Sequence, residues 1–186
     1  MTCATRKQSY ILNWRVVLAG SAVSLLVLFA VGLTRDPSYL PSALIGREVP
    51  GFSLPMLTKT GLVKTEDYLG KPFIINFWAS WCTSCRQEHD ELIWLGSKAN
   101  NTKEFVMVGV NSRDTNNNAL QFLSTQGQLP YSSGIDPRGR TSIDFGVYGM
   151  PETFFVDEDG IVQWRHTGPL NRRVLQEILP KIGVKP

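Results

Sequence analysis

Two cysteines separated by two residues, Cys82 and Cys85, are the pair in this sequence best suited to chemistry. Cysteines at positions i and i+3 near the start of a helix lie about one turn apart on the same face. We expect Cys82 to be exposed at the helix N-terminus, where free backbone N–H groups and the helix dipole favour a thiolate, with Arg86 adding electrostatic support. Cys82 is then the attacking nucleophile and Cys85 the thiol that resolves the mixed disulfide.

Two structural uses of this cysteine pair fit the sequence less well than thiol exchange, and a third, metal binding with a histidine, stays open. A disulfide that closes so short a loop adds little stability, and a zinc site would need a second cysteine pair, whereas the remaining cysteine, Cys3, is distant in sequence. His89 falls on the helical stripe of Cys82 and Cys85, which leaves open a copper site of two sulfurs and one imidazole. We interpret His89 instead as a partly exposed helix residue.

The segments around the cysteines predict an α/β fold with a mixed central sheet. Residues 73–79 (FIINFWA) are almost continuously apolar, which is typical of a central strand buried on both faces. A helix from Cys82 to about Leu95 separates this strand from a second one at 104–110, so the two strands are expected to be parallel. The Asn-rich stretch 116–118 is interpreted as a loop or the beginning of a helix.

Two hairpins and a final helix complete the predicted domain. Residues 153–156 and 161–164 flank an Asp-Glu-Asp-Gly turn and predict an antiparallel hairpin. Residues 52–57 and 62–64 predict an added hairpin near the beginning of the domain, and Asn171 is expected to cap the last helix. The resulting architecture is a layered sheet with flanking helices.

Composition limits the classes of function that are open to the chain. Its 186 residues are 42% hydrophobic and 19% charged, which fits one globular domain with an appendage. The formal net charge of +3 is small and partly N-terminal, so there is no basic footprint for nucleic acid.

An uncharged segment near the N-terminus predicts a membrane anchor. Residues 16–33 are long and apolar enough to cross a bilayer, and Arg6, Lys7 and Arg15 before them place the N-terminal tail in the cytoplasm. A signal peptide cleaved near 30–32 is the alternative, and a buried core helix is disfavoured because every face is apolar. We predict a cytoplasmic tail at 1–15, a transmembrane anchor at 16–34, a linker at 35–48 and the folded domain at 49–186.

Several motifs together resemble the thioredoxin superfamily. Strand 73–79, the Trp-Cys-Thr-Ser-Cys segment 81–85 and the run at 145–154 (FGVYGMPETF) agree with that superfamily in order and spacing. With Val-Pro-Gly-Phe at 49–52, they are similar to the CcmG (DsbE) group over the whole chain after the linker. The resemblance implies a thioredoxin-like fold, a cis peptide bond before Pro151, and a partner-binding segment at Met150 and Pro151. Trp81 flanks the cysteines and is interpreted as part of the same surface, because aromatic residues are enriched at interfaces, with packing as the alternative.

The same resemblance implies a function outside the cytoplasm. Proteins of this group are anchored dithiol reductants of cytochrome c maturation on the periplasmic face of the inner membrane, and they use no cofactor or metal beyond their cysteine pair. They reduce the haem-binding cysteines of apocytochrome c, directly or through a CcmH-like thiol protein, and are recharged by a CcdA- or DsbD-type membrane electron donor. A TlpA-like reductase for copper-site assembly proteins and a non-enzymatic copper chaperone are the alternatives.

The sequence departs from ordinary thioredoxin at two places, one that affects proton transfer during thiol exchange and one that affects the redox potential. Asn76 stands where thioredoxin has a buried Asp on the strand before its cysteines, and an amide cannot take up a proton at neutral pH. Glu88 and Glu152 are therefore the candidates for proton transfer, with a solvated helix face as the alternative for Glu88. Thr83 and Ser84 stand between the cysteines where many CcmG-like proteins carry proline, and their hydroxyls are expected to tune the potential.

Overall fold

The computed structural model describes residues 5–33 and 43–185, which fall into two compact units. The first contains helix α1, Thr5–Leu33. Within it, Trp14–Gly32 has a mean hydropathy of 2.1 and is long and apolar enough to cross a membrane. This segment overlaps the anchor predicted at 16–34, whereas most of the predicted linker lies outside the described residues.

The second unit is built on a five-stranded mixed sheet in the order β5-β4-β3-β6-β7. Its central strand β3, Phe73–Trp78, runs parallel to β4, Val106–Ser112, and antiparallel to β6, Glu152–Val156. At the two edges, β5, Ser132–Asp136, is parallel to β4, and β7, Val162–Thr167, is antiparallel to β6. The central position of β3, its parallel partner and the β6–β7 hairpin confirm the prediction.

Four α-helices accompany this sheet within residues 43–185. The first follows β3 and continues past Leu95, where the prediction ended it, and the second begins in the Asn-rich stretch. Asn171 caps the last one, as predicted, by accepting a hydrogen bond from the N–H of Val174 (3.1 Å). The helices are α2, Thr83–Thr102; α3, Asn116–Gln126; α4, Arg140–Asp144; and α5, Arg172–Ile178.

Strand β3 is buried on both faces because separate apolar layers cover it. Ile75 and Phe77 point into one layer. Ile74 and Trp78 point to the opposite face, where they pack with residues of α2 and α3. Asn76 shares this second face, and its amide is completely buried there. A polar group in such a place must find partners inside the protein.

The added N-terminal hairpin is present as predicted. Its strands are β1, Ser53–Pro55, and β2, Leu62–Lys64, which pair antiparallel. The hairpin lies against β5, where the N–H of Leu57 donates to the Ser133 carbonyl (2.8 Å). A Cβ at Gly134 would lie 2.7 Å from Cβ of Leu54, so a residue without a side chain is needed at this crossing.

The folded unit also includes residues that the prediction assigned to the linker. The N–H of Gly46 donates to the Val162 carbonyl (2.8 Å), and the N–H of Val162 donates to the Arg47 carbonyl (2.9 Å). These bonds tie the chain to the beginning of β7 before residue 49.

Candidate active site

Cys82 and Cys85 form a disulfide at the beginning of α2, with their Cα atoms 5.3 Å apart. Cys82 is the N-cap residue of α2, and its Sγ accepts a 3.0 Å hydrogen bond from the N–H of Cys85. This position stabilises negative charge on the sulfur, because the first N–H groups of a helix lack partners within it. The expectation that Cys82 is exposed is wrong for this disulfide-bonded state, since its exposed fraction is 5%.

The segment before β6 covers the disulfide. The Met150–Pro151 peptide bond is cis, as the resemblance implies. The Met150 carbonyl oxygen lies 3.4 Å from Sγ of Cys82 and accepts a 3.1 Å hydrogen bond from the Ser84 hydroxyl, whose oxygen is 3.5 Å from the same sulfur. The structure thus brings Met150 and Pro151 next to the expected nucleophile.

The loop that leads into the cysteines is held by a residue that the sequence analysis missed. The Asp114 carboxylate accepts hydrogen bonds from the N–H of Ser80 (2.7 Å) and from its hydroxyl (3.0 Å). Trp81 has an exposed fraction of 59%, and its indole N–H donates to the Arg113 carbonyl (3.0 Å). Asp114 follows β4 just as Cys82 follows the parallel strand β3, so the shared sheet edge could have indicated that these two loops meet.

Glu88 is completely buried, which excludes the solvated helix face as its position. One carboxylate oxygen accepts a hydrogen bond from the Asn76 amide (2.9 Å), and the other accepts one from the N–H of Leu170 (2.8 Å). Burial raises the pKa of Glu88 from 4.5 to about 7, because the charged form loses its water and the two hydrogen bonds offset only part of that loss.

Asn76 connects this carboxylate to the strand that follows Pro151. Its amide nitrogen also donates to the Thr153 hydroxyl (3.0 Å), while its amide oxygen has no hydrogen-bond partner. Asn76 is therefore the direct neighbour of Glu88, in the position where the resemblance places the buried acid of thioredoxin.

Glu152 lies in different surroundings. One of its carboxylate oxygens is bound by two guanidinium nitrogens of Arg165, each at 2.7 Å. The other accepts 3.1 Å hydrogen bonds from the N–H groups of Tyr148 and Gly149. The negative charge is neutralised by this pairing, and the carboxylate holds the loop that carries Met150.

His89 and Arg86 both lie on the side of α2 that faces α3. His89 is 4% exposed, so the expectation of a partly exposed residue is wrong. Its Nε2 lies 2.8 Å from the Gly127 carbonyl oxygen, and its ring packs edge-on against Phe122. The Arg86 guanidinium lies 5.1 Å from the centre of the Phe122 ring. In the part of the chain that the structure describes, no three His, Cys, Asp or Glu side chains are grouped to hold a metal ion.

Comparison with known proteins places these features in a family. The Redoxin family matches residues 44–179. The thiol:disulfide interchange protein DsbE of Yersinia pestis is 42% identical over 164 residues, which cover 84% of this chain and 85% of that protein. DsbE of Escherichia coli K12 is also 42% identical, over 153 residues, with 81% of this chain and 80% of that protein covered.

Solved structures agree with this assignment. A crystal structure assigned as DsbE from Chlorobium tepidum superimposes with a TM-score of 0.67 at 35% identity, covering 75% of this chain and 98% of that one. A secreted thiol-disulfide isomerase from Corynebacterium glutamicum gives a TM-score of 0.67 at 20% identity, covering 80% and 96%, which shows the shared fold alone. The chain belongs to the redoxin family and, within it, to the DsbE group of thiol-disulfide oxidoreductases.

Proposed function

We propose that this protein is an anchored dithiol reductant of cytochrome c maturation, which reduces the haem-binding cysteines of apocytochrome c directly or through a CcmH-like thiol protein. The observation that carries the proposal is the placement of Cys82 Sγ 3.4 Å from the Met150 carbonyl oxygen. An extended partner segment that hydrogen-bonds to the Met150 backbone would bring its own sulfur to Cys82. The kinship with DsbE supports the same reading.

The reaction proceeds in two exchanges. The Cys82 thiolate attacks one sulfur of the partner disulfide, so that a mixed disulfide forms and the other partner sulfur leaves as a thiolate. Cys85 then loses its proton and attacks Cys82 Sγ, which forms the disulfide seen here and releases the second partner thiolate. The partner gains two electrons, and the cysteine pair loses two.

Glu88 is the group we assign to take up the Cys85 proton. It follows Cys85 by one helical turn, and burial raises its pKa to about 7, so that it can both take up and release a proton near neutral pH. Glu152 is less suited to this task, because Arg165 holds its carboxylate as an ion pair. We therefore assign Glu152 to positioning of the Met150 segment.

The N-terminal segment supports a location in the inner membrane. We assign Trp14–Gly32 as a single span of the inner membrane, with the basic tail in the cytoplasm and residues 49–186 in the periplasm. A reductant there needs electrons from across the membrane, which supports a CcdA- or DsbD-type donor.

The first test is the reduction potential of the Cys82–Cys85 couple in the full-length chain, with Cys3→Ser to leave one redox pair. Equilibration with glutathione, followed by Trp fluorescence, should give a value between about −270 and −200 mV, the range of thioredoxins and glutaredoxins. A value near −120 mV, typical of the oxidant DsbA, would contradict the proposal.

A trapping experiment tests the partner. Cys85→Ala cannot resolve the mixed disulfide, so a disulfide-bonded peptide with an apocytochrome c haem-binding site should remain attached to Cys82. Cys82→Ala is the control that should trap nothing. If an unrelated two-cysteine peptide is trapped equally well, the protein is a general disulfide reductase and the proposed specificity for apocytochrome c is wrong.

A further inference from the structure

A groove of about 390 Å³ opens beside the disulfide. It lies between the beginning of α2 and the exposed face of α3. Trp81 and Arg86 line the side next to the cysteines, Asn118 and Gln121 line the α3 side, and Phe122 lies between them. Trp81, which lines the groove, directly precedes Cys82 in the chain.

Arg86 supplies the charge in this groove. Its guanidinium is exposed and lies over the Phe122 ring, and among the described residues its one hydrogen bond is to the Ser80 carbonyl, at 3.5 Å. No ion pair of Arg86 is found among the described residues, in contrast to Arg165 and Arg172, each of which is paired with a glutamate. The guanidinium therefore keeps donors available for a carboxylate from outside.

The other groups of the groove fit a peptide chain. The amides of Asn118 and Gln121 carry both donors and acceptors, which can pair with an extended backbone. Trp81 offers an exposed ring for an apolar side chain. None of the described residues that line the groove is acidic, and the neighbouring Asp114 carboxylate is occupied by hydrogen bonds from Ser80, Asn111 and Thr115.

We propose that this groove binds the polypeptide segment next to the partner's reacting cysteine, and that Arg86 selects partners with a carboxylate in that segment. The proposal rests on the thiol-exchange function above. Arg86 is four residues after Cys82, so their Cβ atoms lie about 5–6 Å apart on one helix face. An extended chain advances about 3.3 Å per residue, which places the acidic residue about two or three positions from the partner cysteine.

The test uses single-cysteine peptides activated as 2-thiopyridyl disulfides. The Cys82 thiolate of the reduced full-length Cys3→Ser protein attacks the peptide sulfur and releases 2-thiopyridone, whose absorbance gives the rate. Cys85 then forms the internal disulfide and releases the peptide thiol. The peptides carry Glu, Gln or Lys at two or three positions on either side of the cysteine, or Glu ten positions away.

For the unaltered groove we expect the nearby-Glu peptide to react about fivefold faster than its Gln counterpart, and the distant-Glu peptide to show no gain. The preference should shrink as salt is added, because it depends on a partly exposed charge pair. Arg86→Gln should abolish the preference, Arg86→Lys should keep part of it, and Gln121→Glu on the opposite wall should reduce it.

Neutral 2,2′-dipyridyl disulfide separates this proposal from its alternatives. If Arg86→Gln slows the reduction of this small disulfide as much as it slows the reduction of the Glu peptide, Arg86 acts on the Cys82 thiolate itself and the groove proposal is overturned. If dipyridyl disulfide and all the peptides are reduced at equal rates, the groove proposal is overturned and the proposed thiol-exchange function stands. Failure to reduce any of them would overturn the proposed function as well.

Discussion

The Asn76 side-chain amide donates a 2.9 Å hydrogen bond to the Glu88 carboxylate inside the folded domain, where both side chains are completely buried. The amide and the acid stand on different elements, β3 and α2, twelve residues apart in the chain. Glu88 supplies the buried titratable carboxyl of this site, and Asn76 supplies a donor that stabilises its ionised form. A change in either residue is therefore expected to alter the pH dependence of the free energy of unfolding.

Replacement of Asn76 by Asp would place a second carboxyl within hydrogen-bond distance of Glu88. Two buried carboxyls at that distance cannot both ionise, so one of them must hold a proton. We expect Asn76→Asp to lower the free energy of unfolding by about 3 kcal/mol at pH 8 and by much less at pH 5. Denaturant unfolding at the two pH values measures this, with exposed Asn117→Asp as the control. Equal losses at both pH values would contradict the coupling.

Glu88→Gln tests the titration of Glu88 itself. A carboxyl whose pKa is raised by folding, here from 4.5 to about 7, binds more protons folded than unfolded, so stability falls as pH rises through that window. Relative to Glu88→Gln, the wild type should lose up to about 3 kcal/mol between pH 4.5 and pH 8. Unfolding curves across this range measure it, and exposed Glu177→Gln should follow the wild type.

The proton role of Glu88 has a separate readout. In the reduced Cys3→Ser protein, the pH profile of Cys82 alkylation should differ between Glu88→Gln and the wild type, because the Cys85 proton can no longer pass to a carboxylate. Superimposable profiles would remove Glu88 from the mechanism while leaving its effect on stability intact.

Asp114→Asn should loosen the loop that presents Cys82. All four groups that hydrogen-bond to this carboxylate are donors, from Ser80 twice, Asn111 and Thr115. An amide nitrogen in place of one oxygen would face a donor, and we expect a loss of about 1–3 kcal/mol in unfolding free energy. The rate of Cys82 alkylation should change as well.

The matched control for this variant is Asp144→Asn. The Asp144 carboxylate is exposed and is paired with the exposed Arg140. Asp144→Asn should leave both measurements near wild type. If Asp114→Asn also behaves like wild type, Asp114 does not position the cysteine loop.

The Arg165–Glu152 ion pair should be costly to break from one side. Both side chains are buried, at 6% and 1% exposure, so Arg165→Met would leave the Glu152 carboxylate without its counter-charge. We expect a loss of about 3–5 kcal/mol in unfolding free energy. Glu152→Gln combined with Arg165→Met should recover part of that loss, because no charge is then left unpaired. Arg140→Met is the control, because it breaks the exposed pair of Arg140 with Asp144. It should lower the free energy of unfolding by less than about 1 kcal/mol. No recovery in the double variant would argue against a charge effect.

Local patterns in the sequence determined the framework of the fold. The apolar run of β3 indicates burial on both faces, and the strand, helix and strand order then requires parallel pairing with β4. The acidic turn before Gly160 likewise indicates the β6–β7 hairpin. These features depend on neighbours in sequence, which is why periodicity and turn chemistry reveal them.

Elements without such a local signal were missed or shortened. Strand β5, Ser132–Asp136, has no apolar run and is defined by its pairing with β4. Helix α4, Arg140–Asp144, is too short for a helical period to show. Helix α2 continues through Gly96 to Thr102. A Cβ at position 96 would lie 2.5 Å from the Tyr131 ring, so glycine here serves close packing and does not mark the end of the helix.

The sequence by itself determined that two sulfurs are paired at the beginning of a helix and that the helix N-terminus stabilises negative charge on the first of them, since both depend on residues three positions apart. Only the tertiary structure decided the surroundings of the acids. Leu170 lies 82 residues from Glu88, and Asp114 lies 34 residues from Ser80. Arg165, on the neighbouring strand, forms an ion pair with the Glu152 carboxylate. Burial and ion pairing are properties of contacts between distant segments, and they separate a carboxyl that can exchange a proton near neutral pH from one that holds a loop.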